Sequence, residues 1–198
     1  MFEAIRYNLA NLTRFSGRDS RSTFWFYILF LVIVQVVVSM GLSMVAGGMM
    51  AVDAFHAASK GTDQVAIQHA MFGRMAGMMR VSMWGSAVLS LVMTLLVSAS
   101  FTRRLHDSGK PGWITAIVVL LQSATAILTI GMIGEMVSYM SHLTPEDPVA
   151  MQASIKAHQA KFAAQGALGW LPLLIVVVFG VWPSSDGDNR YGPEPDHL

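Results

Sequence analysis

The 198-residue sequence contains no cysteine, and that absence removes disulfides, thiolate metal sites and cysteine nucleophiles together. Charge is scarce too: only 13% of residues are Asp, Glu, Lys or Arg, and the net charge is +1. No block of basic residues occurs, so nucleic acid is not an expected partner. Charge is missing altogether from four stretches, 22 to 52, 81 to 102, 111 to 134 and 162 to 185. What fills them is apolar, with 54% hydrophobic residues in the chain and a mean hydropathy of +0.51.

Each uncharged stretch can hold the roughly 20 apolar residues that cross a ~30 Å hydrocarbon layer. Four of them leave too little polar chain to cover them in water. The expected fold is therefore all-α, an integral membrane four-helix bundle with an amino-terminal interfacial helix and helical outer loops. It forms a single transmembrane domain over 1–198, with spans near 23–46, 81–102, 112–134 and 167–183. Arg6, Arg14, Arg18 and Arg21 precede the first run as in a secretory signal, but its apolar part is too long for one, so a retained signal-anchor helix is expected. Tryptophan favours the membrane boundary, and Trp25, Trp84, Trp113, Trp170 and Trp182 all fall near span ends. Eight Lys and Arg residues lie on the arm, the 103–112 loop and the tail, against five on the other two connections. That bias places both termini in the cytoplasm, with the lipid bilayer as the first partner.

Residues 2 to 15 set Phe2, Ile5, Leu9 and Leu12 on one helical face, with Asn8 among the polar residues elsewhere, and read as a short helix lying on the membrane. Ser22 or Thr23 is placed to cap the first span. The stretch 54 to 80 reads as a helix leading into span two, and Thr144 as the cap of a helix after "TPEDP". Small and hydroxylated residues recur every fourth position at Gln35, Ser39, Ser43 and Gly47, at Ser82, Ser86, Ser90, Thr94 and Ser98, and more loosely at Thr115, Gln122, Ala126 and Thr129. Such stripes favour close helix packing. The alternative is a hydroxyl-lined path in a small transport or channel subunit. No span carries a charge at its middle, which weighs against ion or proton transfer.

An even number of crossings brings three polar segments to the same side: "SGRDSRSTFW" (16–25), "RRLHDSGKPGW" (103–113) and "WPSSDGDNRYGPEP" (182–195). Arg18, Arg21, Arg103, Arg104, Lys110 and Arg190 there face Asp19, Asp107, Asp186, Asp188, Glu194 and Asp196. Balanced charge points to pairing between loops, and the candidate ion-pair or binding cluster is Arg18, Arg21, Arg103, Arg104, His106, Asp107, Asp186, Asp188, Asn189 and Arg190. Within the second segment, Ser108 is placed to cap span three and Pro111 to enter its first turn. In this order the three segments resemble the YhaH/YhaI-like family of small bacterial inner-membrane proteins (domain of unknown function 805). The resemblance covers nearly the whole chain and implies a multi-span inner-membrane protein with these residues as its signature. It implies no reaction, ligand or partner. The long outer connections, rich in Met and His, depart from that family.

Catalytic readings are incomplete. His106 beside Asp107 resembles the dyad of metal-dependent phosphohydrolases without their further ligands; "DGDN" at 186–189 lacks the closing Glu of a calcium loop; "SGK" lacks the first glycine of a phosphate loop. His56, His69, His142 and His158 with nearby methionines suit copper, but Met71, Met75, Met78 and Met79 are more simply an apolar stripe. No cofactor, metal or catalytic residue is therefore assigned. The expected role is that of a non-enzymatic structural or interaction component, with a membrane-protein partner or a second copy of itself.

Overall fold

The structure, a computed structural model, describes the backbone of residues 1–59, 64–142 and 148–195. Side chains are described for most of these, the exceptions lying between 46 and 76 and between 136 and 162. Five helices follow in order: α1 (Phe2–Ala10), α2 (Arg21–Ser59), α3 (Gln64–Asp107), α4 (Ile114–His142) and α5 (Pro148–Val181). One isolated bridge, Asn189 to Gly192, is the only β-type pairing among the described residues.

Among the described residues, four segments are long and apolar enough to cross a membrane: Arg21–Met49, Gly77–Asp107, Ile114–Glu135 and Ala163–Val181. At 1.5 Å per residue the shortest, 19 residues, rises about 28 Å, close to the thickness of a hydrocarbon layer. The helices overrun these segments. α2 continues to Ser59, α3 begins at Gln64 and α5 at Pro148, so the helices of the outer connections continue the spans. Pro148 stands in the first turn of α5, where a missing N–H costs nothing. Thr144, His197 and Asp196, and the side chains of His69, His142 and His158, lie outside the described residues.

The chain divides into two compact units. One comprises Val36–Val88 and Ile127–Gly166; there the Gln165 amide donates to Thr129 Oγ1 at 2.9 Å. The other comprises Met1–Gln35, Leu89–Ala126 and Ala167–Leu198 and holds the three polar segments. Its apolar core has two parts, Phe24, Phe101, Leu105 and Val118 in one and Tyr27, Leu31 and Met93 in the other. Of the hydroxyl stripes, Gln35, Ser39, Ser43, Gly47, Ser82 and Ser86 are exposed, whereas Ser98, Thr115 and Ala126 are buried, and Thr115 shares a 2.8 Å hydroxyl bond with Thr102 of α3, so close packing holds at those positions only. Hydroxyls along these helices turn back to their own carbonyls, Ser43 to Ser39, Thr94 to Ser90 and Ser98 to Leu95.

Local details differ from the expectations. α1 ends at Ala10, and Asn8, expected on its polar outer face, is buried, its amide donating to the Ala4 carbonyl at 2.9 Å. α2 is capped by Ser20 rather than Ser22 or Thr23: Ser20 Oγ accepts the Thr23 N–H at 3.3 Å. Ser108 caps the wrong helix for the expected role, its hydroxyl donating to the Arg104 carbonyl of α3 at 3.3 Å. α4 instead starts by tight turns, with Thr115 N donating to Gly112 O and Ala116 N to Trp113 O.

Candidate functional site

The stretch 103–107, expected as loop, is the last turn of α3. Helical rotation of 100° per residue then separates Arg103 from Arg104 and sets Asp107 between their directions. Beyond Asp107 the helix stops by a Schellman ending, in which Lys110 N donates to Leu105 O at 2.8 Å and Gly109 N to His106 O at 3.0 Å. Gly109 has φ +67°, a conformation that glycine adopts without steric cost.

Arg103 is fully buried and turns toward the amino-terminal arm. Its Nε donates to Asp19 Oδ1 at 2.8 Å, Nη2 to Asn8 Oδ1 at 2.6 Å, and Nη1 to the carbonyls of Asn11 and Arg14. Asp19 also accepts the Ser100 hydroxyl at 3.0 Å on its other oxygen, while its own N–H donates to the Arg103 carbonyl at 3.2 Å. Burial pushes the Asp19 carboxyl above its ordinary value, opposed by the hydrogen bond and charge of Arg103 and by the Ser100 bond, with a smaller upward push from Asp107.

Arg104, also fully buried, turns toward the end of α5. It donates to the carbonyls of Gly180 and Trp182, to Ser184 Oγ at 3.3 Å and to Asp107 Oδ2. α5 ends at Val181, so these carbonyls are among those a helix terminus leaves without partners, and a cation suits the negative end of the helix dipole. Trp25 Nε1 shares Gly180 O at 3.2 Å. A Cβ on Gly180 would stand 2.8 Å from the Phe24 ring, so only glycine permits this approach.

Arg18 completes the cluster. Its Nε and Nη2 reach Asp107 Oδ1 at 3.1 and 3.0 Å, and its remaining donors reach the carbonyls of Ser185, Gly187 and Gly192. Asp107 also accepts the Ser184 hydroxyl at 2.6 Å, and its carbonyl accepts both the N–H and the hydroxyl of Ser185. Three buried arginines therefore meet two carboxylates, and seven main-chain carbonyls, with Asn8 Oδ1 and Ser184 Oγ, take up the remaining donors. Every buried side-chain nitrogen and oxygen among the described residues has a hydrogen-bond partner.

His106 lies at the rim. Its Nδ1 is 3.2 Å from the Gly17 carbonyl, which can only accept, so Nδ1 carries a proton there. The ring stacks on Tyr191 with centroids 3.8 Å apart and planes 6° apart, and the His106 carbonyl accepts the Asn189 amide at 2.9 Å. Asn189 also bonds Ser185 and accepts the Tyr191 N–H.

Of the ten residues singled out from the sequence, Arg18, Arg103, Arg104 and Asp107 form the buried ion-pair network, and His106 and Asn189 adjoin it. Arg21, Asp186, Asp188 and Arg190 are exposed, although the charge of Arg21 is felt at Arg104 and that of Arg190 at His106. Asp188 accepts the Glu194 N–H at 3.2 Å, and the Arg190 guanidinium lies 4.7 Å from the centre of the Tyr191 ring. Asn8, Ser20, Ser100, Gly180, Ser184 and Ser185 were not singled out. All are small or uncharged, and only Ser20, Ser184 and Ser185 lie within the three segments, so charge counting passes them over. Asp19 was counted among the acids but not among the candidates. Chemically, the arrangement holds helix ends together: the Asp107 carboxylate, with donors from Arg18, Arg104 and Ser184, is occupied as an acceptor. No group of three or more His, Cys, Asp or Glu placed to hold a metal occurs among the described residues.

The sequence matches the family described as "Protein of unknown function (DUF805)" over residues 12–193. No curated protein and no solved structure matches it. The matched stretch contains the first two polar segments, the third as far as Pro193, and every arginine and aspartate of the buried network.

Proposed function

This chain belongs to the DUF805 family, and from that premise we propose that it is a non-enzymatic structural or interaction component of a bacterial inner membrane. In this reading its four apolar helices cross as a bundle, both termini are cytoplasmic, and the polar ends gather into a rigid face that docks a membrane-protein partner or a second copy. The observation that carries it is the saturation of Arg18, Arg103, Arg104 and Asp107 by protein atoms from the arm, α3, the end of α5 and the tail. Buried charges held this way fix the mutual position of the segments that bear them, at a desolvation cost that only good geometry offsets. The hydroxyls of Ser43, Thr94 and Ser98, spent on their own helix carbonyls, support this reading over a lined transport path.

Crosslinking in the native membrane, followed by identification of what is captured, tests the docking role. A defined partner or a self-crosslink that disappears with Asp107→Asn is the expected result; an unchanged pattern would count against the face. His106→Ala separates the enzymatic alternative. A structural His106 lowers protein level, whereas loss of a phenotype at normal level would favour catalysis.

A further inference from the structure

The arm ahead of α2 has two faces. Ala4 and Asn8, one turn apart, are buried, while Phe2 is 80% and Leu9 43% exposed, with Ile5 half-buried. At 100° per residue Ile5, Leu9 and Phe2 form a strip beside the buried face; Arg6 borders it, and Glu3 lies beyond. Met1 and Phe15 are exposed as well. Exposed cations on this arm, Arg6, Arg14 and Arg21, outnumber its exposed acid, Glu3.

Arg103 fixes the depth of the strip. Its guanidinium holds Asn8 Oδ1 and the carbonyls of Asn11 and Arg14, tying α1 and the turn after it to the last turn of the span Gly77–Asp107. A span end is where hydrocarbon gives way to headgroups, and Trp25 and Trp182, at the ends of α2 and α5 in the same unit, mark that level. The strip is therefore held where lipid headgroups begin, beside the apolar flanks of the spans.

We propose that the Phe2, Ile5 and Leu9 strip, with Arg6 at its margin and exposed Arg14 in the turn after α1, is a docking surface for an anionic phospholipid leaflet. The apolar side chains enter the boundary between headgroup and acyl chain, and the two guanidiniums select acidic headgroups. A nine-residue helix is marginal in water by itself. Here the hydrogen bonds to Arg103 hold it ready, so the leaflet receives a formed helix and does not have to fold one.

A chain without cysteine lets a single introduced thiol be labelled uniquely. Full-length Leu9→Cys and Glu3→Cys, each carrying a nitrobenzoxadiazole probe, are placed in nanodiscs of phosphatidylcholine alone or mixed with phosphatidylglycerol. Spin-labelled lipid then reports contact with the acyl region. The expected result is strong quenching at position 9 in the acidic discs, weaker quenching there in neutral discs, and little at position 3 in either. Adding Arg6→Gln and Arg14→Gln, both at exposed positions, lowers the ratio of seated to unseated probe in acidic discs by roughly five-fold per arginine at low salt. An unchanged thermal midpoint shows that these variants remain folded. Quenching at position 9 no greater than at position 3 overturns the proposal. So does quenching at position 9 that is equal in both discs and indifferent to the arginines, because apolar contact alone then seats the helix. A probe at position 9 shielded from water yet not quenched by lipid overturns it as well, and assigns the strip to a second protein chain.

Discussion

The guanidiniums of Arg18 and Arg104 converge on one carboxylate, that of Asp107, and both partners are buried. Asp107→Asn keeps the shape but leaves two buried cations without their anion, a loss of about 3–5 kcal/mol by comparison with other broken buried pairs. Thermal unfolding in detergent and protein level in the membrane both report it. Asp19→Asn is expected to cost less, because Arg103 retains Asn8 Oδ1 and two carbonyls as acceptors. Burial raises the Asp19 carboxyl above its ordinary 3.8, so folding favours its protonated form. Its contribution to stability is then complete below pH 3.8 and is lost as the pH rises through the folded value. Wild type therefore loses stability relative to Asp19→Asn as the pH climbs through that window; midpoints of the two proteins that run parallel across a pH series would contradict this. At this scale the charged members of the site were legible, because arginine and aspartate are conspicuous in so apolar a chain. Their partners were not. Exposed Asp186 and Arg190 look like buried Asp107 and Arg104 in a sequence, and nothing about Asn8 or Gly180 announces that each accepts a bond from a buried arginine.

Helix existence was legible from uncharged length alone, since segments of this size have few other ways to satisfy their main-chain groups in lipid. Helix ends were not, because they depend on who pairs with whom. α3 runs through Arg103–Asp107 because neighbouring segments neutralise the charges that made this stretch read as loop. The same holds for caps: Ser20 displaces Ser22 and Thr23, and Ser108 serves the helix behind it and not the one ahead. Two substitutions probe these ends. Gly109→Ala forces a side chain into a left-handed conformation and should destabilise by about 1–2 kcal/mol. Ser20→Ala removes the cap of α2 and should cost about 1 kcal/mol. Denaturant or thermal midpoints check both, and a neutral Gly109→Ala would mean that the Schellman ending is not retained in solution.

Over the whole molecule, four spanning-capable helices and the excess of basic residues on one set of connections predict a cytoplasmic amino terminus and a cytoplasmic carboxyl terminus. Fusions of a reporter active only in the cytoplasm, and of one active only outside, should agree at both ends of the chain; opposite signals at the two ends would mean an odd number of crossings. The convergence of arm, α3 end and tail was legible as a consequence of even crossing number and balanced charge, whereas the order of pairing was not, because charge parity admits many matchings. One pairing also sets a schedule for biosynthesis. Gly180, Trp182 and Ser184, which satisfy Arg104, and Ser185, which closes the end of α3, are translated at least 76 residues after Arg104. Until they leave the ribosome, Arg104 has only Asp107 of these acceptors, so the end of α3 cannot close before α5 and the segment after it have been made.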